Sequence, residues 1–286
     1  MKKNIFALFL AMLATMVVTS CKEDEGTEPG GDSSPVATVY QYSTTAPQNP
    51  DNDVRIRVVA NSKVQEAYFM VEKTEDYNAK MKEMGKEGYM KYVVEKGTKL
   101  DDIKGASDQD FVMVGLLGPN TVSVVAVNGN KKTIASTEFT GLTWTTVASG
   151  SYYFDVMKGF FGEDGYPTKL QVCDYDENMY RFENLFGEGH HLKITLLPDY
   201  VGANGEGEYI YVRVPDQGIG LEYGSYGEIG VRDVGYWQGN DAFITQSGYN
   251  GFFYPESKAV SIMAQWYVSA GNLGYNGYDS FVPDEE

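Results

Sequence analysis

Asp53-Val54-Arg55-Ile56-Arg57-Val58 alternates apolar and polar side chains without a break. A period of two puts Val54, Ile56 and Val58 on one face and Arg55 and Arg57 on the other, which is the pattern of a strand with one buried face. The same reading extends outward. Val64 to Val71 places Ala67, Phe69 and Val71 on one side. Phe111 to Leu116 and Thr121 to Val127 read as two further strands, and Asn128-Gly129-Asn130 turns the chain into another at Thr133 to Phe139. One segment breaks the rhythm. Thr74 is a candidate cap, Glu75 and Asp76 suit a first helical turn, and Tyr77, Met81 and Met84 fall at helical spacing. Gly85 and Gly88 interrupt this run, Tyr89, Tyr92 and Val93 resume it, and Gly97 ends it. Residues 37–145 therefore read as a β domain with a helical insertion at 75–96.

Residues 146–286 show almost no helical periodicity. Leu192 to Leu196 and Tyr209 to Val214 alternate, and Val260, Ile262, Ala264, Trp266 and Val268 share one face. Turn signals recur at Asp164-Gly165, Asp176-Glu177-Asn178, Asn204-Gly205, Gln217-Gly218, Gln238-Gly239-Asn240, Asn250-Gly251 and Asn276-Gly277. Short strands at this spacing predict a second all-β sandwich or barrel. The fold class is mainly β throughout.

The N-terminus has a different character. Lys2 and Lys3 precede an apolar run from Ile5 to Val18, too short to span a bilayer comfortably, which reads as a secretory signal over residues 1–20. Val18-Thr19-Ser20-Cys21 then resembles a bacterial lipobox, which implies acylation of Cys21 and anchoring through more than one acyl chain. Residues 21–36 are acidic and rich in Gly, Pro and Ser, the composition of a tether. Lys22-Glu23-Asp24-Glu25 resembles the export signal of Bacteroidota surface lipoproteins, which implies outward display on the outer membrane. Leu117-Gly118-Pro119-Asn120-Thr121 before an alternating strand resembles a fibronectin type III module, which implies an immunoglobulin-like sandwich over residues 37–145, although Ser123 stands where that family carries its tyrosine. The whole layout is similar to Bacteroidota surface lipoproteins that join such a module to a Tyr/Gly-rich β domain, some of which handle glycans beside an outer-membrane importer.

Net charge is −17 with a pI near 4.5, which argues against nucleic acid as a partner. With Cys21 acylated, Cys173 has no intramolecular partner, so no disulfide framework is expected. Asp174-Tyr175-Asp176-Glu177-Asn178 hints at a calcium loop, but Met179 and Leu185 occupy the positions where that pattern needs Gly and Glu. His190 and His191 are adjacent and lack a spaced third ligand, so no metal site is expected. The mature chain has no G-x-S-x-G elbow. No cofactor and no catalytic residues are assigned.

Aromatics near turns are the suggestive feature. Tyr223, Tyr226, Tyr236 and Trp237 lie among glycines, with Asn240 and Asp241 following, and Tyr249, Phe252, Tyr254, Tyr275 and Tyr278 come later. Aromatic rings can stack on the C–H faces of sugars while amides and carboxylates bond the hydroxyls. The same residues also suit a sheet core in which aromatics cover glycines. Trp237 is the leading candidate and Trp266 is assigned to the core. The leading expectation is a non-catalytic, lipid-anchored surface protein that binds carbohydrate or serves an outer-membrane complex for glycan uptake. The alternatives are an adhesin-like subunit with a protein partner and a glycoside hydrolase, which would need two carboxylates across a cleft.

Overall fold

The computed structural model describes residues 34–45, 47–242 and 251–285. Cys21, the signal sequence, nearly all of the tether, Tyr249 and Asn250 lie outside the described residues. The chain divides into two units between Phe139 and Thr140.

The first unit is a sandwich of seven strands. These are β1 (Ala37–Ser43), β2 (Val54–Ala60), β3 (Glu66–Lys73), β4 (Thr98–Lys99), β5 (Ser107–Met113), β6 (Gly118–Asn128) and β7 (Lys131–Gly141), with helix α1 (Thr74–Lys96) between β3 and β4. One sheet has the order β1-β2-β5 and the other β4-β3-β6-β7. Val54, Ile56 and Val58 face Ala67, Val122, Val124 and Ala126 in the core between them, as alternation requires. The outer face of the second sheet is covered too. Tyr89, Met90 and Val93 of α1 pack on Val125 and Val127, so β6 is buried on both faces. Ser123 lies under this helix with its Oγ 3.3 Å from the Tyr89 hydroxyl. Burial pushes that hydroxyl's pKa up.

Three local readings are corrected. Thr74 is the first helical residue rather than a cap, and its hydroxyl meets Thr121 Oγ1 at 3.0 Å. The strand expected at Phe111 to Leu116 starts four positions earlier, at Ser107, because Asp108 and Asp110 pair across the sheet with Arg57 and Arg55. The interruption of the helix lies at Gly85 alone, whose φ of 67° and ψ of 171° suit only glycine.

The second unit contains β8 (Trp144–Tyr153), α2 (Lys158–Phe161), β9 (Tyr166–Cys173), β10 (Asp176–Phe182), β11 (Leu192–Asn204), β12 (Gly207–Arg213), β13 (Gln217–Glu222), β14 (Glu228–Asp233), α3 (Val234–Gln238), β15 (Gly251–Phe253), β16 (Val260–Ile262), β17 (Ala264–Val268), β18 (Gly271–Gly274) and β19 (Asp279–Pro283). Eight strands close into an antiparallel barrel in the order β10-β11-β12-β15-β16-β19-β8-β9, with β9 pairing β10. A four-stranded sheet, β13-β14-β17-β18, shares the barrel's core. Val260, Ile262, Ala264, Trp266 and Val268 are all buried in that core, but they do not form one strand. The chain changes sheets at Met263: β16 pairs with β15 and β19, whereas β17 pairs with β14 and β18. Alternation survives the switch because both strands face the same interior.

Gln217-Gly218 is strand rather than turn, with Gly218 beneath the Glu228 carboxylate. The turn expected at Asp176 lies two residues earlier, at Asp174 and Tyr175, since Cys173 already pairs with Asp176. The Asp174 carboxylate accepts from the hydroxyls of Thr143 (2.6 Å) and Thr145 (2.7 Å), which hold its pKa below the usual range. The helical turn α3 at Val234–Gln238 was not expected.

Candidate functional site

The predicted aromatics fall into two groups. Tyr236 and Trp237 both lie on α3, which Asp233 caps by accepting from the Tyr236 amide at 2.8 Å. Gly239, in the left-handed conformation, ends the helix. Successive helical residues point about 100° apart, and here they have separate roles. Tyr236, 45% exposed, lies under the Arg213 guanidinium at 4.0 Å. Arg213 also pairs with Asp233 (3.0 Å) and Asp241 (2.9 Å). Burial works against the Arg213 charge, yet these carboxylates raise its pKa overall. Tyr236 and Asp241 therefore converge on an ion-pair cluster. Asn240 closes the following turn through its Oδ1, which accepts from the Ala242 amide at 3.0 Å.

Trp237 points elsewhere. Its ring centroid is 4.9 Å from that of Tyr275. It lines a cleft of about 410 Å³ together with Arg232, Gln265, Tyr267, Ser269 and Asn272, from β14, β17, β18 and the turn between the last two. Arg232 Nε donates to Gln265 Oε1 at 2.8 Å and its guanidinium lies 4.4 Å over the Tyr267 ring. The Tyr267 hydroxyl donates to Asp216, and burial followed by that carboxylate pushes its pKa up to about 12.

Tyr223 and Tyr226 approach the same edge strand, with ring centroids 6.3 Å apart. They line a smaller cleft of about 230 Å³ with Leu273 and Asn272. A third cleft, of about 420 Å³, joins Leu273, Asn272 and Tyr275 to Asp155, Val156 and Lys158. Asn272 on β18 lines all three. The fold thus brings Trp237 to the same strand as Tyr223 and Tyr226, and leaves Tyr236, Asn240 and Asp241 outside these clefts. Arg232, Gln265, Asn272 and Lys158 escaped sequence reasoning because they are single polar residues on separate strands and loops, with no motif spacing to mark them.

Several tyrosines, Tyr267 of the Trp237 cleft among them, cover glycines. A Cβ at Gly230 would stand 2.4 Å from the Tyr267 ring, at Gly202 2.5 Å from Tyr209, and at Gly165 2.7 Å from Tyr153. Part of the Tyr/Gly richness is therefore sheet packing.

Behind the third cleft lies a buried carboxylate. Asp279 Oδ1 accepts from the Asp155 amide at 2.8 Å, and Oδ2 accepts from Trp266 Nε1 (3.2 Å) and the Tyr152 hydroxyl (3.3 Å). Burial lifts its pKa to about 7 against the pull of these donors and the Val156 amide. Trp266 is fully buried core, as its strand phase requires. Among the described residues no cluster of His, Cys, Asp and Glu could hold a metal ion. His191 Nδ1 accepts from the Asn184 amide at 2.9 Å, and the His190 ring lies against Gly220. No described helix is long and apolar enough to cross a membrane.

No family model and no curated protein matches the chain. Similar solved structures include two of a Kfla1895 point mutant. One, in complex with cyclobis-(1→6)-α-nigerosyl, has 14% identity and a TM-score of 0.24 over 82% of this chain and 29% of that one. The other has 11% identity and a TM-score of 0.27 over 82% and 28%. The chain spans less than a third of the length of those structures.

Proposed function

We propose that this chain is a non-catalytic carbohydrate-binding protein, held at the outer surface of a bacterial outer membrane through acylated Cys21. The observation that carries the reading is the Trp237 cleft. One indole, backed by Tyr275, forms an apolar wall, and Arg232, Gln265, Ser269 and Asn272 supply donors and acceptors within the same volume of about 410 Å³. An apolar wall with a few convergent polar groups is the usual make-up of a small-ligand site. A sugar ring needs the same two things, a flat surface for its C–H face and partners for its hydroxyls. The signal-like N-terminus, the lipobox resemblance and the acidic tether support the anchored location.

Affinity electrophoresis through gels containing neutral polysaccharides tests the binding. Retardation that falls about tenfold in affinity for Trp237→Ala is the expected result, a loss of about 1.4 kcal/mol. Migration unaffected by every polysaccharide would overturn the reading. Mass spectrometry of the mature N-terminal peptide tests the anchor, and an unmodified Cys21 thiol would refute it.

A further inference from the structure

A fourth cleft extends the site. It measures about 340 Å³ and is lined by Tyr153, Asp155, Lys158, Glu163 and Tyr278 among others. It shares Asp155 and Lys158 with the cleft under Tyr275, which shares Asn272 and Leu273 with the Tyr223/Tyr226 cleft and Asn272 with the Trp237 cleft. Neighbouring clefts in this series thus have lining residues in common, and each carries at least one aromatic side chain. Tyr153 and Tyr278 at the far end are 40% and 37% exposed, although both are large and partly apolar. Tyr153 is laid flat by Gly165 beneath it, which has no side chain to lift the ring. The charges are also informative. Among the described residues, the two cations that line the clefts are already paired, Lys158 with Asp155 at 3.5 Å and Arg232 with Asp216 at 3.1 Å. Glu163 adds a further negative charge at the far end.

We propose that these adjoining clefts form one trough that binds a stretch of an extended, uncharged oligosaccharide rather than a single sugar or an acidic glycan. This rests on the carbohydrate reading above. Several aromatic surfaces in series fit successive sugar rings. A uronate or sulfate would find no unpaired cation among the described residues of the trough and would meet Asp155 and Glu163.

The test is calorimetric titration of the full chain with gluco-, manno- and xylo-oligosaccharides from monomer to hexamer, with hexameric oligogalacturonate as the charged probe. For the series that binds, affinity rises at least tenfold from dimer to hexamer, and oligogalacturonate binds at least tenfold more weakly than the neutral hexamer. Tyr153→Ala and Tyr278→Ala each weaken hexamer binding about fivefold. Two variants are used so that a folding defect in one does not decide the outcome. Equal affinity for dimer and hexamer, or no effect of either variant on the hexamer, overturns the trough while leaving a local Trp237 site intact. Tighter binding of oligogalacturonate overturns the uncharged ligand. Failure of every neutral saccharide, with Trp237→Ala also silent, overturns the carbohydrate reading itself.

Discussion

The two units treat the outside of a sheet in opposite ways. In the first, α1 lies over the sheet β4-β3-β6-β7, so that Tyr89 and its neighbours Tyr77 and Tyr92 are drawn into packing. In the second, no described helix covers β18, and Trp237, Tyr275, Tyr223 and Tyr226 line clefts around that edge. The same residue types serve a core in one place and a surface in the other. What decides between them is whether a covering element follows in the chain. Twenty-three residues of helix follow β3, but only five follow β14.

Substitutions can break or sharpen this contrast. The largest effect is expected at Tyr89. Removing a nearly fully buried aromatic costs about 4 kcal/mol, so Tyr89→Ala should lower hydrogen-exchange protection in β6 by that amount and leave β14 unchanged. Equal loss in both strands would mean that the units do not have separate cores.

The buried carboxylate of the second unit gives the next effect. Asp279 has a folded pKa of about 7, above its ordinary 3.8. Between those values the folded state holds a proton that the unfolded state releases, so this group stabilises at low pH and its contribution is lost as pH rises towards 7 and above. Between pH 5 and 8 the loss is about 2–3 kcal/mol. Denaturant unfolding of the second unit at the two pH values measures it, and Asp279→Asn should flatten the difference. A slope that persists in Asp279→Asn would assign it to another group.

At Gly85 the backbone lies where a side chain is strained, although nothing crowds a Cβ there. Gly85→Ala should cost about 1–3 kcal/mol from conformation alone, read as exchange of the α1 amides. No loss would indicate that the two halves of α1 can straighten. Trp237→Ala should have the smallest effect on stability, about 1 kcal/mol or less, as for a half-buried ring outside the core clusters. A loss of several kcal/mol would place Trp237 with Tyr89 as a packing residue.

Legibility in the sequence followed the same division. β2, β3 and β6 are readable because their inward faces are apolar at every second position. β1 was missed because its tyrosines, Tyr40 and Tyr42, point outward while its inner face fades from Ala37 and Val39 to Gln41 and Ser43. β13 read as a turn because Gly218 and Gly220 break the apolar pattern, and a five-residue helix such as α3 leaves no periodicity to find. Val260 to Val268 gave the correct buried face and hid the change of sheet, since alternation reports which side is buried and not which strand is the neighbour. Of the candidate site, Trp237, Tyr223 and Tyr226 are legible as aromatics beside glycines. Their polar partners were not, because Arg232, Gln265 and Asn272 meet only through strand pairing.

The central claim is that Trp237 is a surface kept for a ligand while Trp266 belongs to the core. It is tested most directly by following the indole N–H resonances of Trp144, Trp237 and Trp266 during titration with a neutral oligosaccharide hexamer. The account predicts that the Trp237 signal moves in a saturable way while that of Trp266, bonded to Asp279, stays in place. Saturable binding that leaves the Trp237 signal unmoved would contradict it.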